Sequence, residues 1–287
     1  MPANRALRPI LVTAVLTGAV GSVYLLRSPS RHLHSAVREP TKTFSFPSTM
    51  FSSRELKVRR VEQINHNTKR ITFELPGGES EVSGVPASSA ILIQHTTPAS
   101  WLPTFRPYTP ISPPTQQGTL DLLVKHYPHG EASTHIHALQ PGDTLTARGP
   151  LPGYTYRPSV TQPRSLILIA GGAGITPIYS LTHEILTTNQ KDQISLEDLE
   201  RRFPGRLNVT YAVSGPAKEV EELGDVKRFR KGYVDGKLLK EAIGRCGGRL
   251  GDENGKMVVF CGPPKMEESV MGLLMGMGLA KKDVYKF

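Results

Sequence analysis

The sequence predicts two domains, an N-terminal antiparallel β-barrel and a C-terminal doubly wound α/β domain, and three observations support this fold class. The chain has 287 residues, enough for two domains of about 100 to 200 residues each. Residues 52–157 contain short strand-like runs between glycine and proline turns, as in a small barrel. In residues 162–287, continuous apolar runs alternate with loops and helical stretches, which is typical of a parallel sheet covered by helices.

The N-terminus contains an uncharged stretch of 17 residues, Ile10 to Leu26, with arginines on both sides. This length is near the lower limit for a membrane-spanning helix, which needs about 17 to 25 residues, and a secretory signal peptide has a similar profile. No acidic residue precedes Glu39, whereas Ser, Thr and Arg are frequent, so a mitochondrial signal-anchor in residues 1–26 is favoured. Residues 27–51 are rich in Ser, Thr and Pro and are predicted to be a flexible tether, with order beginning near Glu55.

The net charge of +10 is concentrated at this end of the chain. The first 60 residues contain 10 of the 35 basic residues and 2 of the 25 acidic ones, so the remainder is almost neutral. A basic N-terminus on a neutral body is typical of targeting or of contact with a membrane surface. We therefore expect no nucleic-acid partner.

A metal site is not expected either. The two cysteines, Cys246 and Cys261, cannot form a disulfide framework or a cysteine-based metal site. His135 and His137 are two positions apart and fit surface or turn roles better than metal ligation.

Each predicted strand has its own run of β-branched, aromatic or other apolar residues. In the first domain these runs are LKVRRVEQI (56–64), RITFELP (70–76), AILIQH (90–95), LDLLVKHY (120–127) and DTLTARG (143–149). The segment Gln140 to Asp143 (QPGD) predicts a tight turn before the last of them. In the second domain the runs are SLILIA (165–170), LNVTYAV (207–213) and KMVVFCG (256–262).

Two motifs suggest nucleotide binding. Gly171 to Pro177 (GGAGITP) lies between a buried strand and a helix, where backbone N–H groups can hold a pyrophosphate; the alternative is a turn that only packs strand against helix. Phe105 to Pro110 (FRPYTP) places a cation, an aromatic ring and a hydroxyl between two prolines, which fits a diphosphate and a flat ring. On its own this segment fits a proline-stiffened strand edge equally well.

Together the motifs resemble the ferredoxin-NADP reductase superfamily, and specifically the NADH-cytochrome b5 reductases. FRPYTP, VKHY with the Gly130 to Ser133 turn, GGAGITP and Cys261 to Pro264 (CGPP) occur in that family's order and spacing. GPLPGYTY (149–156), STHIHALQPGD (133–143) and the C-terminal VYKF (284–287) are similar to the fungal mitochondrial branch. The resemblance extends from about residue 52 to the end of the chain.

The resemblance implies FAD and NADH as cofactors and assigns a role to each motif residue. Arg106 would bind the FAD diphosphate, Tyr108 would lie against the isoalloxazine, and Thr109 would hydrogen-bond near flavin N5. Lys125 and Tyr127 would line the groove, and Gly130, Ala132 and Ser133 would hold the pyrophosphate. Gly172, Gly174 and Thr176 would face the nicotinamide dinucleotide, with Cys261, Gly262 and Pro263 beside the nicotinamide; Cys261 also fits a small buried side chain. Thr109, Lys125 and Cys261 are the candidate catalytic residues.

The sequence departs from the family pattern in two places. No apolar strand follows the first helix of the second domain after residue 186, where relatives have one. Ser214 stands where the family usually has an acidic residue that disfavours NADPH, so NADPH is a possible second donor.

The leading functional hypothesis is hydride transfer from NADH to FAD, followed by single-electron transfer to a haem protein such as cytochrome b5 or cytochrome c. Such a protein would be anchored in a mitochondrial membrane with its catalytic domains facing the intermembrane space. Two alternatives remain open. One is a mitochondrial flavoprotein that assists cytochrome c import and haem reduction, and the other is a scaffold of the same fold without a dinucleotide site.

Overall fold

The computed structural model describes residues 39–96, 102–157, 165–187, 195–213, 229–246, 255 and 257–287. The strands are β1 (Thr41–Lys42), β2 (Arg54–Asn65), β3 (Thr68–Glu74), β4 (Glu81–Val82), β5 (Ala90–His95), β6 (Thr104–Tyr108), β7 (Thr119–Lys125), β8 (Thr144–Leu151), β9 (Ile167–Ala170), β10 (Tyr211–Val213), β11 (Phe229–Lys231), β12 (Val258–Cys261) and β13 (Val284–Lys286). The helices are α1 (Ser48–Phe51), α2 (Glu131–Ala138), α3 (Ile175–Thr187), α4 (Leu196–Arg202), α5 (Gly236–Arg245) and α6 (Pro264–Gly276). Three short 3₁₀ turns cover Gly78–Ser80, Gly172–Gly174 and Lys281–Asp283.

The first domain is built on a six-stranded antiparallel sheet with the order β6-β5-β8-β2-β3-β7. Alternate side chains of these strands point into one apolar core, and Leu56, Ile71, Phe73, Ile93 and Leu122 are fully buried there. All five strand-like runs predicted for this domain are strands. The tight turn before β8 is confirmed as well, because the Asp143 amide donates to the Gln140 carbonyl at 3.0 Å. The six-stranded antiparallel sheet expected for the predicted barrel is therefore present.

The N-terminal segment is structured earlier than the sequence indicated. We predicted a tether through residue 51, but β1 pairs with β4 and Phe44 is fully buried in the barrel core. Thr49 in α1 is also buried and donates its hydroxyl proton to the Gly149 carbonyl on β8. The prediction failed because Ser, Thr and Pro dominate this segment, and one phenylalanine is too weak a signal to indicate packing.

The predicted anchor and most of the predicted tether lie outside the described residues. Among the residues that the structure does describe, no helix combines the length and the apolar character needed to cross a bilayer.

The second domain contains a parallel sheet of three strands with the order β13-β12-β9. One face packs Ile169, Val258 and Phe260 against α5 and α6, and the other packs Val259 against α3. Helices on both faces explain why these strands are apolar along their whole length, without a polar side. The doubly wound α/β prediction is confirmed in this arrangement.

The described strands of the second domain form two separate sheets. Within the described ranges, β9 pairs only with β12, while β10 pairs with β11 in a separate two-stranded parallel sheet. No strand occurs among the described residues between the end of α3 at Thr187 and the start of α4 at Leu196. Residues 188–194 lie outside the described part of the chain.

Helix α2 was not predicted. The sequence analysis treated Gly130 to Ser133 as a turn and the two histidines after it as surface or turn residues. In the structure His135 stacks on His95 of β5, with 4.1 Å between ring centroids. The His137 ring lies 2.7 Å from the Val124 carbonyl of β7. Burial lowers the pKa of both histidines, so they pack as neutral rings that fix α2 on the barrel.

Candidate active site

A cleft of about 550 Å³ lies where the barrel meets the glycine turn of the α/β domain. Its walls are β6, β7, the turn and helix α2, and the turn that begins α3. The lining residues are Thr104, Arg106, Pro107, Tyr108, Leu123, Lys125, Tyr127, His129, Gly130, Glu131, Ala132, Ser133, Ala173 and Thr176. A cavity of this size, where two domains meet, is a common place for a small-molecule cofactor.

Residues Phe105 to Tyr108 of the FRPYTP segment lie in β6, an edge strand of the sheet, and Thr109 and Pro110 follow it. The position of this strand at the edge explains why Pro107 is tolerated within it. The Arg106 guanidinium is exposed and donates to the carbonyl of its neighbour Phe105 at 2.9 Å. Burial raises the pKa of Tyr108 to about 12, and the nearby Arg106 charge partly opposes that shift. The phenol thus stays neutral and presents an apolar ring with a cation beside it.

The turn before α2 is fixed by hydrogen bonds that involve Tyr127, Gly130 and Ser133. The Gly130 amide donates to the Tyr127 carbonyl at 2.9 Å, and the Tyr127 amide donates to the Ser133 hydroxyl oxygen at 3.2 Å. A Cβ at Gly130 would lie 2.6 Å from the Ser133 hydroxyl oxygen, so a larger residue would displace this hydroxyl from its hydrogen bonds. The first amides of α2 have no acceptor within the helix and are oriented toward its N-terminus.

The cleft has an excess of positive charge. Arg106 and Lys125 line it together with one carboxylate, Glu131. A diphosphate carries two negative charges, and two cations beside a helix N-terminus are an environment in which such a group is stabilised. The residues present therefore fit the FAD diphosphate.

The GGAG turn of the second domain needs glycine for close approach. Gly172 has φ +55°, in the left-handed region. A Cβ at Gly174 would lie 2.2 Å from the Cys261 carbonyl oxygen, and that carbonyl accepts from the Gly171 amide at 2.9 Å. The Thr176 hydroxyl donates to the Ala173 carbonyl at 3.1 Å. The glycines thus let the strand and the helix pack closely, and the turn also leaves Ala173 and Thr176 at the cleft wall.

The CGPP segment lies behind the glycine turn, at the end of β12. Burial and the neighbouring Glu267 carboxylate raise the pKa of the Cys261 thiol to about 11. The Gly262 amide donates to Glu267 at 3.3 Å, and the other oxygen of this buried carboxylate pairs with Lys286 of β13 at 2.8 Å. The C-terminal strand therefore helps to hold the peptide that joins Cys261 and Gly262.

The structure brings most of the sequence-predicted site residues together at one cleft. Those that line it are Arg106, Tyr108, Lys125, Tyr127, Gly130, Ala132, Ser133 and Thr176. Those that lie beside it, without lining it, are Thr109, Gly172, Gly174, Cys261, Gly262 and Pro263. Two of the three candidate catalytic residues are in the second group, and Thr109 is buried at 8% exposure.

Six lining residues were not among the predicted site residues. Pro107 and Ala173 lie inside the two motifs, whereas Thr104, Leu123, His129 and Glu131 lie outside them. The alternation of side chains along a strand could have found two of them. Thr104 shares a face of β6 with Arg106, and Leu123 shares a face of β7 with Lys125. His129 lies in the turn before α2 and Glu131 is the first residue of that helix, and no sequence pattern indicated where the turn points.

Comparison with known proteins agrees with this division of the chain. Residues 55–156 match the oxidoreductase FAD-binding domain family, and residues 168–271 match the oxidoreductase NAD-binding domain family.

Two fungal relatives, both named NADH-cytochrome b5 reductase 2, match over most of their length. The protein of Botryotinia fuckeliana is 36% identical over 81% of this chain and 71% of its own. The protein of Emericella nidulans is 32% identical over 100% of this chain and 92% of its own.

Among solved structures, the cytochrome b5 reductase domain of Ulva prolifera nitrate reductase has a TM-score of 0.67 and 24% identity. It covers 86% of this chain and 100% of that domain. An FAD-binding barrel and an NAD-binding α/β domain that share one cleft define an oxidoreductase of the ferredoxin reductase fold. Within that class, the chain belongs to the NADH-cytochrome b5 reductase family.

Proposed function

We propose that the protein catalyses hydride transfer from NADH to FAD and then passes single electrons to a haem protein such as cytochrome b5. The main observation behind this proposal is the cleft, because strand β6 of the flavin domain and the GGAG turn of the nucleotide domain both line it. The names of the fungal relatives support the same reaction.

On the flavin side, the proposed roles follow from position and charge. Arg106 and the first backbone amides of α2 bind the FAD diphosphate. Ser133 stabilises the turn before α2 through its hydrogen bonds. The Tyr108 ring packs against the isoalloxazine, and the adjacent Thr109 supplies a hydrogen bond near its reacting edge. Bound FAD supplies the redox chemistry, since it can accept a hydride and release electrons one at a time.

On the nicotinamide side, the residues orient the donor and exclude water, and no acid or base has to act on it. Ala173 and Thr176 are the residues of the glycine turn that contact the dinucleotide. The segment Cys261 to Pro263 packs behind this turn and supports it. A thiol with a pKa of about 11 is neutral at physiological pH, so we propose a packing role for Cys261 and no proton transfer.

We further propose that residues 1–26 anchor the protein in a mitochondrial membrane, with the catalytic domains in the intermembrane space. The uncharged stretch Ile10 to Leu26 and the absence of acidic residues before Glu39 support this location. We assign residues 40–157 to the flavin domain and 162–287 to the nucleotide domain, so that the tether comprises residues 27–39.

The test is an anaerobic titration of the purified yellow protein with NADH, followed by turnover with cytochrome b5 and with cytochrome c. We expect NADH to bleach the flavin absorbance and cytochrome b5 to be the better acceptor. Flavin that stays oxidised in excess NADH would support the non-enzymatic scaffold. Bleaching with a preference for cytochrome c would support a role in cytochrome c maturation.

A further inference from the structure

Two phenylalanines near the start of the flavin domain are exposed to solvent. Phe46 has 61% and Phe51 has 87% of its side-chain surface exposed. They are the only phenylalanines among the exposed large apolar side chains of the described residues; Phe46 precedes helix α1 and Phe51 is its last residue. Contiguous exposed apolar patches mark contact surfaces.

The segment that carries them is held firmly on the barrel. Phe44 is fully buried in the core, and the Ser45 amide donates to the Thr49 hydroxyl oxygen at 2.8 Å. Thr49 is itself buried and bonds to the Gly149 carbonyl on β8. Phe46 and Phe51 therefore lie outside the core, whereas Phe44 before them and Thr49 between them are buried in it.

The charged side chains of the segment itself are basic, and the neighbouring Glu81 carboxylate on β4 accepts a hydrogen bond from the Thr43 hydroxyl. Between Glu39 and Glu55 the sequence contains Lys42 and Arg54 and no acidic residue. We call Phe46, Phe51, Lys42 and Arg54 the α1 patch. Aromatic rings accompanied by basic side chains are typical of proteins that rest on a lipid surface, where rings enter the headgroup region and cations meet anionic lipids.

The length of the preceding chain favours a membrane as the occupant. Only 13 residues, 27–39, separate the proposed anchor from the first residue of the flavin domain. Fully extended they reach at most about 45 Å, and as a flexible coil they span roughly 20 Å. This is about the radius of a domain, so an anchor in residues 1–26 would keep the first residues of the flavin domain within reach of the bilayer.

Other occupants fit less well. Residues 27–38 contain only Leu33, Ala36 and Val37 as apolar residues, too few to cover two phenylalanine rings. A haem protein has to approach the flavin cleft, and that cleft is lined by residues of β6, β7, α2 and the GGAG turn, with none from α1.

We propose that Phe46 and Phe51 insert into the headgroup region of the membrane that holds the N-terminal anchor, so that the α1 face of the flavin domain rests on the bilayer. This inference depends on the anchor proposed above. Contact at this face fixes the orientation of the catalytic body relative to the bilayer, whereas a free tether would let it rotate.

The test uses the full chain, reconstituted in vesicles of phosphatidylcholine with a minority of phosphatidylserine. In a background with Cys246→Ser and Cys261→Ser, a single new cysteine, Phe51→Cys, is labelled with a fluorophore sensitive to polarity. The control label is placed at Tyr233→Cys, which is 80% exposed in the nucleotide domain. Flavin absorbance and melting temperature verify that each variant is folded.

We expect the Phe51→Cys label to shift to the blue and to be quenched severalfold more strongly by nitroxide headgroup lipids than the Tyr233→Cys label. Adding Phe46→Ser should reduce this quenching. Equal, water-like emission at both positions in protein that floats with the vesicles would overturn the inference and leave the anchor intact. A blue shift without lipid quenching would mean that protein covers the patch, which also overturns it. Protein that fails to float would refute the anchor, and this inference with it.

Discussion

The phenolic oxygen of Tyr127 lies 3.3 Å from the backbone nitrogen of Ala173, which donates a hydrogen bond to it. Tyr127 belongs to the flavin domain and Ala173 to the GGAG turn of the nucleotide domain. The Tyr127 backbone also organises the turn before α2 through Gly130 and Ser133. One residue therefore connects the two turns that the proposed function assigns to the two nucleotides.

Replacing Tyr127 with phenylalanine should slow flavin reduction without releasing FAD. The substitution removes the oxygen that holds the GGAG turn, but it keeps the ring and every backbone hydrogen bond of the flavin turn. A neutral hydrogen bond contributes about 0.5 to 1.5 kcal/mol, so we expect the limiting rate of anaerobic flavin reduction to fall about 2- to 10-fold. Stopped-flow absorbance measures it. Loss of FAD with an unchanged reduction rate would contradict this role.

Arg106→Ala should weaken FAD binding more than it weakens folding. The side chain is exposed and donates a hydrogen bond to the carbonyl of its neighbour Phe105, so little packing is lost. A charge-assisted bond to a diphosphate contributes about 1.5 to 3 kcal/mol, which corresponds to a dissociation constant raised about 10- to 150-fold. Flavin fluorescence on dilution measures the constant. Arg59→Ala, an exposed arginine on β2, is the control; an equal effect in both variants would refute the assignment.

Shortening the chain should distinguish a start at Pro40 from a start at Ser52. A polypeptide from Pro40 keeps Phe44 in the core and the Thr49 contact with β8, whereas one from Ser52 loses both. Loss of a buried phenylalanine side chain typically costs about 3 to 5 kcal/mol, so the shorter form should melt at a clearly lower temperature. Equal melting temperatures for the two forms, both loaded with FAD, would mean that the segment adds no stability.

This segment also illustrates what the sequence could not predict. The strands of the barrel and of the parallel sheet were predictable because many residues contribute to a period of two or to a continuous apolar run. The packing of Phe44 depends on one side chain in a stretch of Ser, Thr and Pro, where no period exists. Helix α2 was missed for a related reason, since its eight residues bury only Ala132, Ser133 and Ile136 and give a weak pattern.

Site residues that belong to short sequence motifs could be predicted. Site residues whose position depends on how the two domains meet could not. Arg106 and Tyr108 were found from one segment of sequence. Glu131 was not, because its place at the cleft depends on the direction of a turn. Cys261, which the resemblance places beside the nicotinamide, does not line the cleft, and its carbonyl lies against Gly174, where the two backbones approach closely.

Stability should depend on the Cys261 thiol at alkaline pH. Burial raises its pKa from 9.0 to about 11, so between these values the thiol is neutral in the folded protein and ionised in the unfolded chain. The contribution to stability is complete below about pH 9 and is lost as the pH rises toward about 11. The melting temperature of the wild type should therefore fall more steeply over this range than that of Cys261→Ala. Parallel curves would contradict the shift.

The choice between NADH and NADPH should respond to a charge at Ser214. Strand β10 ends at Val213, and ligands of parallel α/β sheets bind beyond the carboxyl ends of the strands. Ser214 follows directly in the sequence and lies outside the described residues. A neutral side chain there does not repel a 2′-phosphate, so we expect a modest preference for NADH. Ser214→Asp should strengthen it, because a partly desolvated like-charge contact costs on the order of a few kcal/mol.

Glu197 is the matched control for this charge effect, because it is an acidic residue that already lies near the GGAG turn. It lines a second cavity of about 220 Å³ together with Thr176 and Tyr211, and it accepts a hydrogen bond from the Tyr211 hydroxyl. Glu197→Gln removes its charge and keeps its size. The measurements are kcat/KM with each dinucleotide and calorimetric binding of NAD⁺ and NADP⁺ to the oxidised protein. If Ser214→Asp changes nothing and Glu197→Gln abolishes a strong preference for NADH, discrimination resides on α4, and the prediction for Ser214 is wrong.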